Sequence, residues 1–266
     1  MHHKFNDIRP FCTSEIPEAM QVIAESEHFE LLARYIFPDR DVEEVREMIR
    51  TIRTTDEFQL NVMYYVNEQI VRRSITRLTQ NSFAHLDPRK PYLFVSNHRD
   101  IMLDSSLLQY ILHINGFRTT EITFGSNLMQ EALVTNIGRA NKIFKVIRSS
   151  NLHDFLKNSM LLSEYIRHTL TQKGESVWIA QRNRRTKDGH DATDQGMIKM
   201  FCMSDKSDLP HSVSELNIIS KCISYSLCVK AYIVYLSFRT MDLHPGSSRS
   251  RARSARARAR SSAVRS

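Results

Sequence analysis

One nine-residue segment of this chain, residues 96–104 (SNHRDIMLD), carries the side chains best suited to proton transfer. His98 is followed by a carboxylate two residues later, Asp100, and by a second six residues later, Asp104. A histidine and a nearby carboxylate are typical of a general base and the group that orients it, which leaves the other ring nitrogen to take a proton from a hydroxyl. Spacing alone also suits an ordinary turn and a helix cap.

The elements around this segment predict where it lies in the fold. The apolar run 92–95 directly before it is typical of a buried strand in a parallel sheet. Helix-like and strand-like patterns then alternate, which predicts an α/β fold with a central, mostly parallel sheet covered by helices. The carboxyl end of such a strand is where α/β proteins place reactive groups. The predicted strands are 92–95, 121–124, 143–147, 176–180 and 216–223, and the predicted helices are 104–114, 127–137, 151–172 and 194–203.

The segment before the first strand is predicted to be helical. It contains no glycine, and its apolar residues recur at three- and four-residue spacing. The first predicted helix ends at Pro38, the second begins at Asp39 or Asp41, and the third begins at Thr54 or Thr55. The predicted organisation is therefore an N-terminal helical module (1–88), an α/β domain (89–225) and an atypical C-terminal segment (226–266) that ends in a disordered Arg/Ser-rich tail.

Two of these patterns together carry a resemblance to a known family. Asn97-His98 with the later Asp104, and the strand-like 142–148 (KIFKVIR) ending in Arg148, resemble the first two motifs of the phospholipid and glycerol-phosphate acyltransferases. The family's first motif has four residues between its His and Asp, whereas this chain has five. Closely similar bacterial sequences share the form His-Arg-Asp-x-x-Leu-Asp. The resemblance covers residues 5–225 and also includes 124–129 and 138–139.

The resemblance implies acyl transfer from a thioester to a hydroxyl, on the glycerolipid acyltransferase-like fold. His98 is the expected base and Asp104 its expected partner, with Asp100 as the alternative. Arg148 is expected to hold the acceptor's phosphate, because a guanidinium suits phosphate oxygens. Acyl-CoA or acyl-carrier protein enters as a substrate, so neither a bound cofactor nor a metal is expected. The candidate substrate-binding cations are Arg99, Arg139, Lys142, Arg148, Arg182, Arg185 and Lys187.

The later motifs depart from the family pattern. Asn183 and Arg184 stand where the third motif has Glu-Gly, and Lys221 lies in a fourth motif that lacks its proline. After residue 225 the resemblance stops, which favours a truncated or frameshifted reading or a basic tail that binds anionic lipid. Three hypotheses therefore stay open: an acyltransferase of phospholipid biosynthesis, an acyltransferase for an amino-acid-type lipid, and a non-catalytic family member.

The composition of the chain indicates which classes of partner and which cellular location to expect. The net charge is +8, but seven arginines after residue 247 supply most of it, so the folded part is near neutral and no specific nucleic-acid partner is expected. The four scattered cysteines suggest neither a disulfide framework nor a zinc site. No uninterrupted apolar run is long enough for a spanning helix. The resemblance implies a peripheral protein on the cytoplasmic face of a bacterial cell membrane, with an acyl thioester donor and a phosphate-bearing acceptor lipid as partners.

Overall fold

The computed structural model describes residues 2–80, 83–183, 185–186, 192–205 and 209–221. The chain divides into two compact units. The first holds 1–69 and 79–225, and the described part of the second is Ile70–Leu78. The predicted segment 226–266 lies outside the described residues. The helices are α1 (Ile16–Ala24), α2 (Phe29–Ile36), α3 (Val42–Thr51), α4 (Thr55–Phe58), α5 (Tyr64–Ser74), α6 (Leu103–Ile114), α7 (Ala132–Ala140), α8 (Leu152–Thr171), α9 (Gln195–Cys202) and α10 (Leu209–Ser214).

Within the described residues, five strands form one all-parallel sheet in the order β3-β2-β4-β1-β5. The strands are β1 (Leu93–Ser96), β2 (Glu121–Gly125), β3 (Ile143–Val146), β4 (Val177–Ala180) and β5 (Ile218–Lys221). Because all strands run the same way, their carboxyl ends meet at one edge of the sheet. The prediction of an α/β fold with a parallel sheet covered by helices is confirmed.

Alternate residues of each strand pack against different helical layers. Leu93 and Val177 point to a core shared with the second half of α8 and with α9. Phe94 and Trp178, one residue later in each strand, point to a core on the other face, shared with α6. This period-two alternation is what a sheet buried on both faces requires.

The N-terminal helices pack against α7 in a core of their own. Asp41 begins α3 by accepting hydrogen bonds from the backbone N–H groups of Glu43 and Glu44 (2.8 and 3.3 Å), and Thr54 begins α4 in the same manner. The prediction of a single helix ending at Pro38 is wrong, because this segment forms two helices, α1 and α2. The four residues between them, 25–28, are all polar and none is buried, so the apolar face cannot continue through them.

The third predicted helix contains a π turn, Gln59–Met63, between α4 and α5. The buried Gln59 side chain donates hydrogen bonds to the side-chain and backbone oxygens of Asn141 (3.2 and 3.3 Å), directly before β3. This contact links the N-terminal helices to the amino edge of the sheet. No helix among the described residues combines the length and apolarity needed to cross a bilayer.

Candidate functional site

The candidate site begins where β1 ends. Ser96 and Asn97 are buried, and the Ser96 hydroxyl accepts a hydrogen bond from the Trp178 indole N–H of the neighbouring β4 (3.0 Å). His98 follows at the carboxyl edge of the sheet, with its ring edge-on to Trp178 at a centroid distance of 6.3 Å. The buried strand end and the indole therefore fix the backbone that carries His98.

His98 is paired with Asp104, which lies in the first turn of α6. The His98 Nδ1 to Asp104 Oδ2 distance is 2.9 Å, and the Asp104 side chain is fully buried. The same oxygen accepts hydrogen bonds from the backbone N–H groups of Arg99 (2.7 Å) and Asp100 (3.1 Å). A carboxylate held in this way orients the imidazole, and the bond through Nδ1 makes Nε2 the nitrogen that can take a proton.

Asp100, the alternative partner of His98, makes different contacts. Its Oδ1 accepts hydrogen bonds from the backbone N–H groups of Met102 and Leu103, both at 2.9 Å. These are N–H groups at the start of α6, which a helix cannot satisfy internally. The two aspartates thus have different roles, which spacing alone left open: Asp100 closes the turn before α6, and Asp104 contacts His98.

The loop after β4 is bound to the His98 segment through the backbone. The Gln181 N–H donates to the Ser96 carbonyl and the Thr186 N–H donates to the His98 carbonyl, both at 2.7 Å. These bonds hold the partly buried Arg182 and Arg185 at the carboxyl edge, beside β1. Lys187, a further predicted cation of this loop, lies outside the described residues.

Arg148 follows β3 and reaches over the same edge. Its guanidinium donates a long hydrogen bond to the Asn183 carbonyl in the loop after β4 (3.5 Å). It also lies over Gly125 at the end of β2, where a Cβ atom would approach the Arg148 guanidinium to 3.4 Å and Asn127 Oδ1 to 2.7 Å. Gly125 therefore leaves room for the exposed Arg148 to extend toward the strand adjacent to β1.

Lys142 and Arg139 are not brought to this edge. Lys142 directly precedes β3, so it lies at the amino edge, where it is buried and ion-paired with Asp56 (2.5 Å) and Glu175 (3.5 Å). The physical reason is the parallel sheet, since residues that precede a strand and residues that follow one lie at opposite edges.

Arg139 lies in the last turn of the helix that leads into β3. It donates hydrogen bonds to the carbonyls of Arg9 (3.0 Å) and Asn6 (3.1 Å) and stacks over the Phe11 ring at 4.4 Å. Burial lowers the pKa of Arg139 from its ordinary value. These contacts attach the N-terminal segment to α7, so the Arg139 guanidinium has a structural role.

Arg99 is the remaining predicted cation, and it adjoins His98 in the loop before α6. It is partly buried, and its backbone N–H is one of the donors to Asp104. Thus Arg99, Arg148, Arg182 and Arg185 all lie in segments that follow strands. Among the described residues, no three histidine, cysteine or acidic side chains come together in a manner suited to a metal ion.

Two contributions to the site were not predicted. The sequence places Trp178 in the predicted strand 176–180 and gives it no role beside His98. The signal available for it is that a buried indole N–H needs a hydrogen-bond partner. The sequence gives Gly125 only within the segment 124–129 of the resemblance, and its closeness to Arg148 depends on the pairing of β2 with β3. A glycine at the end of a predicted strand is the signal that sequence reasoning had available for it.

Comparisons with known proteins do not assign the chain to a family. No family model and no curated protein matches it. Among solved structures, the chain is similar to chloroplast FtsY from Physcomitrella patens, with a TM-score of 0.28 and 12% sequence identity over 78% of this chain and 71% of that chain. A TM-score at this level supports no conclusion about fold or function.

Proposed function

We propose that this chain is an O-acyltransferase of the phospholipid and glycerol-phosphate type. In this proposal it moves a fatty acyl group from acyl-CoA or acyl-carrier protein to a hydroxyl of glycerol 3-phosphate, lysophosphatidate or a related polar lipid. The observation that carries the proposal is the His98–Asp104 pair at the carboxyl edge, with a buried carboxylate bonded to Nδ1. That arrangement suits a general base for a hydroxyl nucleophile.

The proposed reaction needs one base and no covalent enzyme intermediate. Nε2 of His98 takes the proton of the acceptor hydroxyl as its oxygen bonds to the thioester carbonyl carbon. The tetrahedral oxyanion then collapses, the carbon–sulfur bond breaks, and the imidazolium returns the proton to the departing thiolate. Asp104 balances the transient positive charge on the ring. Backbone N–H groups or an arginine of the site must stabilise the oxyanion.

The arginines at the same edge support a phosphate-bearing acceptor. Arg148 extends from β3 toward the loop after β4, and that loop holds Arg182 and Arg185. Adjacent strands in a sheet are about 5 Å apart, so β3 lies about 10 Å from β4 and about 15 Å from β1. The contact of Arg148 with the Asn183 carbonyl spans the distance to β4 and brings the guanidinium to the loop that holds Arg182 and Arg185. Arginine offers several N–H donors in one plane, which suits phosphate oxygens.

The proposed location is the cytoplasmic face of a bacterial cell membrane, with peripheral attachment. An acyl thioester is the donor expected in that compartment, and a lysophospholipid acceptor resides in the bilayer. A protein that transfers an acyl group from this donor to this acceptor needs access to both the aqueous phase and the bilayer. This part of the proposal follows from the substrates and is tested separately below.

A thiol-release assay tests the proposed activity directly. The full chain is incubated with palmitoyl-CoA or palmitoyl-carrier protein and, in parallel, glycerol 3-phosphate, lysophosphatidate, an N-acyl amino acid with a free hydroxyl, or unphosphorylated monoacylglycerol. We expect acceptor-dependent thiol release that His98→Ala lowers by roughly 10²–10⁴-fold, the usual contribution of a general base.

His28→Ala is the matched control, because His28 is an exposed histidine of the N-terminal helices. We expect it to behave as wild type. Preference for the N-acyl amino acid would identify the acceptor as an amino-acid-type lipid. Equal thiol release by wild type and His98→Ala would overturn the proposed mechanism.

A further inference from the structure

Helix α8 is much longer than the sheet it covers. Its 20 residues span about 30 Å, whereas the four residues of β3 or β4 span about 13 Å. The buried residues of α8 all lie from Ser163 onward, where the helix packs on the sheet and on α9. Because α8 begins shortly after the carboxyl end of β3, its first half extends past the carboxyl edge.

This first half presents an exposed apolar surface, which we call the α8 apolar face. Leu152, Phe155, Leu156 and Met160 form it, at helical positions that share one side. Leu152 is 71% exposed, and Phe155 and Leu156 are 48% and 49% exposed. Single exposed apolar residues are normal on a protein surface, but four on one side of one helix indicate a contact surface.

Further exposed apolar residues lie at the same edge of the sheet. Met102 follows β1, Leu128 follows β2 and Ile147 follows β3. The candidate base His98 also follows β1, so the apolar residues and the proposed reaction centre share the carboxyl edge. An apolar surface at the same edge of the sheet as the proposed reaction centre suits a partner that supplies lipid.

Cations outnumber acids in the segment that leads into and forms the first half of α8. Residues 148–161 hold two exposed cations, Arg148 and Lys157, and one acidic residue, Asp154, whose Oδ1 lies 3.6 Å from His153 Nδ1. Apolar side chains flanked by cations are the composition of helices that lie in the interface of an anionic bilayer. A two-fold pairing of this surface would instead bring Arg148 and Lys157 of two copies together, which like-charge repulsion opposes.

We propose that the α8 apolar face docks on an anionic lipid bilayer and thereby turns the His98 edge of the sheet toward the membrane. The inference rests on the proposed function only for the direction in which the site faces. The contact itself follows from the exposure of the helix and from its charge. Phe155 and Leu156 insert among the acyl chains, while Lys157 remains at the lipid headgroups.

Vesicle co-sedimentation of the full chain tests the docking. Phosphatidylcholine vesicles with and without phosphatidylglycerol are compared for wild type, F155S/L156S and L31S. Leu31 is the matched control, since it is 58% exposed but lies on α2. We expect tighter binding when phosphatidylglycerol is present. The double variant should lose about 30-fold in partition coefficient. Each of the two side chains is about half exposed, so its insertion contributes about half of its full transfer free energy, and serine removes that contribution. L31S should bind as wild type.

Other outcomes decide against the docking. Binding of F155S/L156S equal to that of wild type would mean that another part of the chain carries the contact. A wild-type dimer by light scattering that the double variant converts to monomer would make this face an interface between copies. His98→Ala should bind vesicles as wild type does. Thiol release in detergent should persist in F155S/L156S, so failure of docking and failure of the proposed reaction are observed separately.

Discussion

Replacing Asp104 by asparagine removes the charge next to His98 and keeps the shape of the side chain. Asp104 Oδ2 accepts from His98 Nδ1 and from two backbone N–H groups. An amide oxygen can still accept from the backbone, but it no longer balances an imidazolium. Two unit charges about 4 Å apart interact by about 4 kcal/mol at an effective dielectric constant of 20. If most of that energy is realised in the transition state, kcat falls by roughly 10²–10³-fold.

The measurement is kcat for thiol release at saturating donor and acceptor, together with the thermal midpoint of unfolding. Asp104→Asn should lower kcat while the free energy of unfolding changes by no more than about 2 kcal/mol, because an acceptor remains. Asp100→Asn is the matched control, since an asparagine oxygen can still accept the two backbone hydrogen bonds that Asp100 accepts from Met102 and Leu103. Its kcat should stay within about threefold of wild type. A larger loss in Asp100→Asn than in Asp104→Asn would refute the assigned roles.

The remaining predictions concern the arginines and one surface carboxylate. Arg148→Ala should raise KM for a phosphate-bearing acceptor by about tenfold or more, with KM for the donor unchanged, because it removes a charge-assisted contact; equal effects on both KM values would contradict this. Arg139→Ala should instead lower the free energy of unfolding by about 1–3 kcal/mol, measured in urea, and leave the acceptor KM unchanged. The Arg9 guanidinium holds the pKa of Glu15 at about 2, below its ordinary value. Glu15→Gln should therefore cost about 1 kcal/mol at pH 7, a value reduced for solvent screening, and the cost should disappear as the pH falls from about 5 to 2; an equal cost at pH 7 and pH 2.5 would contradict it.

The strands were predictable because each is a short apolar run between polar segments. All five predicted strands match observed strands within one to two residues wherever the chain is described. Helix ends were less predictable, since they depend on caps and on packing. Helix α7 begins at Ala132 rather than at Asn127, because the intervening residues first form a short 3-10 turn after β2. The π turn at Gln59 likewise reflects a contact with Asn141, 82 residues away.

The sequence by itself determined the local chemistry of this protein: a histidine with two carboxylates after a buried strand, and arginines after later strands. These features depend on neighbours along the chain. Only the tertiary structure decided that Asp104 contacts His98 while Asp100 closes the turn before α6. It also decided that Arg148 reaches the loop after β4 and that Lys142 and Arg139 make other contacts. The physical reason is that the parallel strands gather whatever follows them at one edge, and hydrogen bonds between distant segments then select which side chains meet there.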